Sequence, residues 1–165
     1  MFDQILLAID DSAASETAAA YAGALAARNG GRIHVFHVNE YLVTGGGRTL
    51  RTRDQASTLV TDAVLQLRET GVRVGGSACV ASYRQVPNRI AAAALEHGAD
   101  AIVLGSRRAR RLGRLFSFQV RERVTRLTAL PVLTAPSPLG RIPAGVTFED
   151  ALDQELVRLL TAPRP

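Results

Sequence analysis

The chain contains no lysine and no tryptophan, one cysteine, one methionine, and aromatic residues at only 5% of its 165 positions. The lone Cys79 excludes an internal disulfide and a cysteine-built zinc site. Within an apolar strand pattern it reads as a small core residue. Without lysine there can be no P-loop lysine, and neither a G-x-S-x-G elbow nor an H-E-x-x-H pair occurs. No apolar run approaches the roughly 18 residues that cross a bilayer. The opening Met-Phe-Asp-Gln lacks the basic segment of a secretory signal. A cytoplasmic protein without membrane contact is the expectation. Scarce aromatics also remove the stacking platforms that single-strand binders use, so nucleic acid ranks as a minor partner.

What is present fits a globular domain: 47% hydrophobic and 21% charged residues, in a length that buries about two thirds of its unfolded surface. The formal charge is +5, and all 20 basic residues are arginine. They are unevenly placed. Eight lie between Arg107 and Arg126 with a single acid, Glu122, so this segment carries +7 and the remainder −2. A guanidinium patch favours phosphate or carboxylate partners; the plainer reading is a solvated basic face.

Hydrophobic periodicity divides the chain into alternating elements. Phe2–Ile9 ends in a continuous apolar run suited to a central parallel strand covered on both faces. Asp10-Asp11-Ser12 follows, with Ser12 placed to cap a helix over Ala13–Arg28 and Asn29-Gly30-Gly31 to end it. Arg32–Val38 is strand two, and Asn39–Arg53 a loop containing Gly45–Gly47. A helix over Ala56–Thr70 places Val60, Val64 and Leu67 on one face. Val72–Ser82 is strand three, broken at Gly75-Gly76. Pro87 opens helix three, which runs to His97-Gly98, and Ala101–Leu104 is strand four. Helix four turns Val120, Val124 and Leu127 inward and Arg121, Arg123 and Arg126 outward. Leu130–Thr134 is strand five.

This βαβαβαβαβ order predicts an α/β fold: a doubly wound five-stranded parallel sheet with helices on both faces. Residues 1–135 form this domain. In 136–165 a Pro- and Gly-rich linker precedes an amphipathic stripe, Phe148, Leu152, Leu156 and Leu159, predicted as a helical extension. Ligands of doubly wound sheets sit at the carboxyl ends of the strands. The candidate positions are therefore Asp10–Ser12, Val38–Glu40 and the loop after Gly105. His34 and His37, three apart on a strand, face opposite sides and cannot share a metal. Asp10 and Asp11 could hold magnesium beside a nucleotide; Asp11 reads more simply as helping to cap a helix, while Asp10, although it also ends a strand, keeps a functional reading. No metal site and no catalytic constellation is expected.

Several phrases together resemble the universal stress protein family over residues 2–135. They are Phe2–Ser12 (FDQILLAIDDS), the His34–Val38 strand, Gly98–Arg107 (GADAIVLGSR) and Pro131-Val132-Leu133. The resemblance implies a Rossmann-like sheet of strand order 3-2-1-4-5 and a homodimer built along strand five, with Leu130, Val132, Leu133 and Thr134 at the interface. ATP-binding members carry G-x2-G-x9-G-[S/T] after strand four. Gly105 fills the first position here, but Arg108, Phe118 and Gln119 occupy the other three, and Gln85-Val86-Pro87 replaces the Gly-x-Pro turn. Bulk at Arg108 and Phe118 stands where backbone would close on phosphate.

Three readings follow. The first is a non-enzymatic stress-response protein acting through dimerisation and a protein partner, with ordinary ATP binding weakened or lost and no required cofactor. The second is a sensor of ATP, AMP or another phosphorylated small molecule. It would use Asp10, Val38, Gly105, Ser106, Arg107, Arg108, Gln119 and Val120, with loop guanidinium groups replacing lost backbone donors. The third is an RNA- or polyphosphate-binding surface along Arg107–Arg126.

Overall fold

Strand β1, Gln4–Ile9, is the centre of the sheet, and Ile5, Leu6 and Leu7 are completely buried. An unbroken apolar run is what a strand covered on both faces requires. The computed structural model describes residues 2–41, 48–105 and 116–135, all within one unit, with side chains from 119 onward in the last segment. The predicted linker and amphipathic helix of 136–165 lie outside the described residues.

The remaining elements are α1 (Ala13–Asn29), β2 (Arg32–Tyr41), α2 (Arg53–Glu69), β3 (Arg73–Ser82), α3 (Val86–Glu96), β4 (Ala101–Leu104), α4 (Phe116–Leu127) and β5 (Val132–Thr134). All strand pairings are parallel, in the order β3-β2-β1-β4-β5. This is the predicted sheet. In register, Leu6 lies beside His34 and Ile102, and Ala8 beside Phe36 and Leu104. Helices α3 and α4 cover one face. Val86, Ile90, Ala93 and Ala94 of α3 and Val124 of α4 pack there on Leu6, Phe36, Ile102 and Leu104. Helices α1 and α2 cover the other, with Tyr21, Ala22 and Ala26 fully buried. Gly30, at φ 64°, ends α1 in the left-handed conformation as predicted.

Several boundaries differ from the sequence expectation for identifiable reasons. β2 runs three residues past Val38 to Tyr41, because β3 pairs with it over its whole length and residues 48–52 double back along its end. Leu50 N–H donates to the Glu40 carbonyl at 2.7 Å, and Tyr41 bridges Thr49. Gly45–Gly47 lie outside the described residues. α2 starts at Arg53 rather than Ala56, since Thr52 and Gln55 form a reciprocal capping box. β3 is continuous through Gly75-Gly76. A Cβ on Gly76 would stand 2.6 Å from Val60 Cγ1 and 2.9 Å from Val64 Cγ2, so the glycine lets α2 lie flat on the strand. Leu127, expected inward, is half exposed near the end of α4, while Val124 is fully buried and Val120 partly so. Leu130 precedes β5, which begins at Val132.

Candidate functional site

The chain leaves β1 through Asp10, and three donors converge on one of its carboxylate oxygens. Oδ1 accepts from the Ser12 N–H at 2.9 Å, from the Ser12 hydroxyl, and from the Ser15 hydroxyl at 2.8 Å. The Asp10 N–H donates in turn to Ser15 Oγ at 2.8 Å. Ser12 thus sits at the start of α1, but its hydroxyl serves Asp10 and not the helix N–H groups. Asp11 is no cap either: it pairs with Arg51, 40 positions along the chain. Arg51 is held by Asn39, which is 3% exposed. The Asn39 amide donates to the Arg51 carbonyl at 2.9 Å and accepts the Arg51 N–H at 3.2 Å. Residues 48–52 therefore strap the end of β2 to the turn that carries Asp10.

Beside this turn, at the carboxyl ends of β1, β2 and β4, lies an open cleft. Its floor is Ala8, Phe36, Val38 and Leu104; Val86 and Ile90 of α3 and Val120 of α4 form a wall; Asp10, Ser12, Ser15 and Glu40 supply polar side chains. Gly105 completes it. A Cβ there would stand 2.8 Å from the Ala14 carbonyl oxygen and 3.1 Å from Ala14 Cβ. The first turn of α1 packs directly on this glycine, which gives it a structural reason to be glycine before any ligand is considered.

Of the candidate binding residues, Asp10, Val38, Gly105 and Val120 line one cleft. Gln119 is exposed, and its side-chain carbonyl accepts the Tyr83 hydroxyl at 3.0 Å. Ser106, Arg107 and Arg108 lie outside the described residues. At the other edge, Leu133 is buried, and Leu130 and Val132 pack against the core. Glu40, inside the candidate span Val38–Glu40, lines the cleft as well, on the same face of β2 as Val38. Sequence reasoning missed Ser15 and Phe36.

The two strand histidines occupy different surroundings, as predicted. His37 is buried; its Nδ1 lies 2.9 Å from the Ile9 carbonyl. A carbonyl only accepts, so Nδ1 carries the proton and Nε2 faces inward as a lone pair, buried without a hydrogen-bond partner. Burial lowers its pKa. His34 stacks on His97, ring centroids 3.5 Å apart, with Nε2 2.8 Å from Ser77 Oγ. Burial lowers its pKa, with a further contribution from His97. Among the described residues no group of three His, Cys, Asp or Glu side chains is placed to hold a metal ion. No helix there is long and apolar enough to cross a membrane.

Residues 1–136 match the family model described as the universal stress protein family. No curated protein sequence matched the chain. Among solved structures, a universal stress protein family member from Burkholderia pseudomallei is 27% identical, with TM-score 0.67, covering 82% of this chain and 96% of that one. One from Archaeoglobus fulgidus is also 27% identical, with TM-score 0.63 and coverages of 82% and 100%. A universal stress protein from Archaeoglobus fulgidus in complex with dAMP, 24% identical with TM-score 0.61 and coverages of 82% and 98%, shares the fold.

Proposed function

The chain belongs to the universal stress protein family, and from that premise we propose that it is a non-enzymatic cytoplasmic stress-response protein whose cleft takes an adenine nucleoside or nucleotide. The observation that carries the reading is the cleft itself. It is lined by apolar side chains from three strands and three helices, and an anchored carboxylate, Asp10, stands beside them. An apolar cleft with few polar groups suits a purine ring and a ribose. The dAMP complex of the Archaeoglobus fulgidus protein supports the ligand class.

Phosphate contributes less to this binding than in members with the glycine motif. Arg108 and Phe118 stand at two of its glycine positions and Gln119 at its hydroxyl position. No cofactor is needed for the fold. Signalling passes through a homodimer paired along β5 and through a protein partner. Val132–Thr134 is a short edge after Pro131, which limits pairing to a few residues.

The test is native purification, denaturation and mass spectrometry of any released small molecule, with calorimetry against adenosine, AMP and ATP. An adenine compound released, or micromolar heat with adenosine or AMP, is expected. Absence of both signals would refute the ligand reading. Sedimentation showing only monomer at micromolar concentration would refute the dimer.

A further inference from the structure

Alternation along β2 puts His37 and Asn39 on the same face of the sheet, two residues apart. Asn39 is clasped by the backbone of Arg51, so residues 48–52 cross that face beside the His37 imidazole. The histidine is only 5% exposed. Its Nδ1–H donates to the Ile9 carbonyl at 2.9 Å, which fixes the ring, and Nε2 is buried with no hydrogen-bond partner. Among the described residues, the charged groups that act on the ring are Arg51 of the strap and Asp10 and Asp11 of the turn after β1. In the neutral ring Nε2 is an acceptor that does without a partner. Protonation makes it a charged donor, with no acceptor in reach and a guanidinium among its neighbours. The two carboxylates offset part of that cost, but burial outweighs them and the pKa is lowered.

We propose that His37 is an acid-operated latch: protonation of its Nε2 lifts residues 48–52 off the end of β2 and frees the Asp10–Ser12 turn at the rim of the cleft. A protonated ring needs water at Nε2, and its neighbours differ in what they lose by moving. β1 and β2 each have a strand on both sides, so parting them breaks the sheet. The strap is held by a short set of contacts. These are the two Asn39 bonds, the Leu50 N–H to the Glu40 carbonyl, the Tyr41–Thr49 bridge and the partly exposed Arg51–Asp11 pair. A partly exposed ion pair adds little, so the strap is the part that yields. Once it lifts, the end of β2 and the turn after β1 lose their tie, and both line the cleft. The latch acts whatever ligand the cleft takes. Above about pH 6.5 the ring is neutral with the strap closed or lifted. Below that, the lifted state takes up the proton first. Its fraction grows by up to about tenfold per pH unit, until the lowered pKa of the closed state is reached.

The experiment is amide hydrogen exchange of the full chain, followed by NMR at about pH 7.5 and about pH 5.5, on either side of the free imidazole value. Protection factors remove the intrinsic pH dependence of exchange. They are read at Leu50 and Arg51, whose N–H groups hold the strap, and at Ile102, a fully buried sheet residue bonded to the Pro131 carbonyl. Protection at Leu50 and Arg51 should fall about five- to tenfold on acidification, while Ile102 keeps its own. His37→Asn, which does not titrate, should abolish the fall. His34→Gln, which removes the other strand histidine, should leave it intact. An equal fall at Ile102 would mean that acid weakens the whole domain, and would overturn the latch. A fall that survives His37→Asn, or that vanishes in His34→Gln, would overturn it too. The wild-type comparison decides independently of how a variant folds: constant protection at Leu50 and Arg51 overturns the latch and leaves the proposed function standing.

Discussion

Replacing Gly105 by alanine separates a structural glycine from a ligand-binding one. The added Cβ would lie 2.8 Å from the Ala14 carbonyl oxygen, 2.9 Å from its carbonyl carbon and 3.1 Å from its Cβ. Relief needs about 0.5 Å of movement, and the obstacle is backbone. The carbonyl belongs to the first turn of α1, and Gly105 directly follows fully buried strand residues, so neither side yields like a flexible side chain. Overpacking of this kind costs roughly 1–3 kcal/mol, and the rigid partner argues for the upper half, about 2–3 kcal/mol. For a domain of this size that lowers Tm by roughly 6–12 °C. The assay is urea and thermal unfolding of the ligand-free protein. Ala14→Gly in the Gly105→Ala background removes only the 3.1 Å contact and should restore little. Wild-type stability in Gly105→Ala, or full rescue by Ala14→Gly, would refute the reasoning and return Gly105 to a purely ligand-facing role.

Two further predictions concern the strap and the histidines. Asn39→Ala removes both hydrogen bonds to the Arg51 backbone and should cost about 2 kcal/mol. Arg51→Ala breaks only a partly exposed ion pair with Asp11 and should cost under about 1 kcal/mol; denaturant midpoints that reverse this order would refute the strap as described. His34 and His37 both have lowered pKa values in the folded chain, so the unfolded state takes up their protons first. Their contribution is whole above about pH 6.5 and is lost as pH falls from there through the lowered folded values. Unfolding midpoints at pH 8 and pH 5 should differ, and His34→Gln with His37→Asn should shrink the difference.

Much of the fold was legible because strand and helix signals are local. The continuous apolar run of β1, the stop at Gly30 and the phrase Ala101–Gly105 each announce an element from a few neighbouring residues. Their order then fixes a parallel sheet wound in two directions. Boundaries set by distant contacts were not legible. β2 reaches Tyr41 because β3 and residues 48–52 flank it, and β3 passes unbroken through Gly76 because α2 presses Val60 and Val64 against it.

From the sequence alone come the family, the class of fold and the end of the sheet at which the cleft lies. The sequence also places Arg108, Phe118 and Gln119 where the resemblance expects two glycines and a hydroxyl. What the site can offer depends on contacts between separate elements. Ser15 and Ser12 turn their protons to Asp10, Arg51 crosses to Asp11, and Glu40 joins the cleft from the next strand. A hydroxyl's direction and a carboxylate's neighbours are set by contacts between separate elements. Periodicity along one chain does not carry that information.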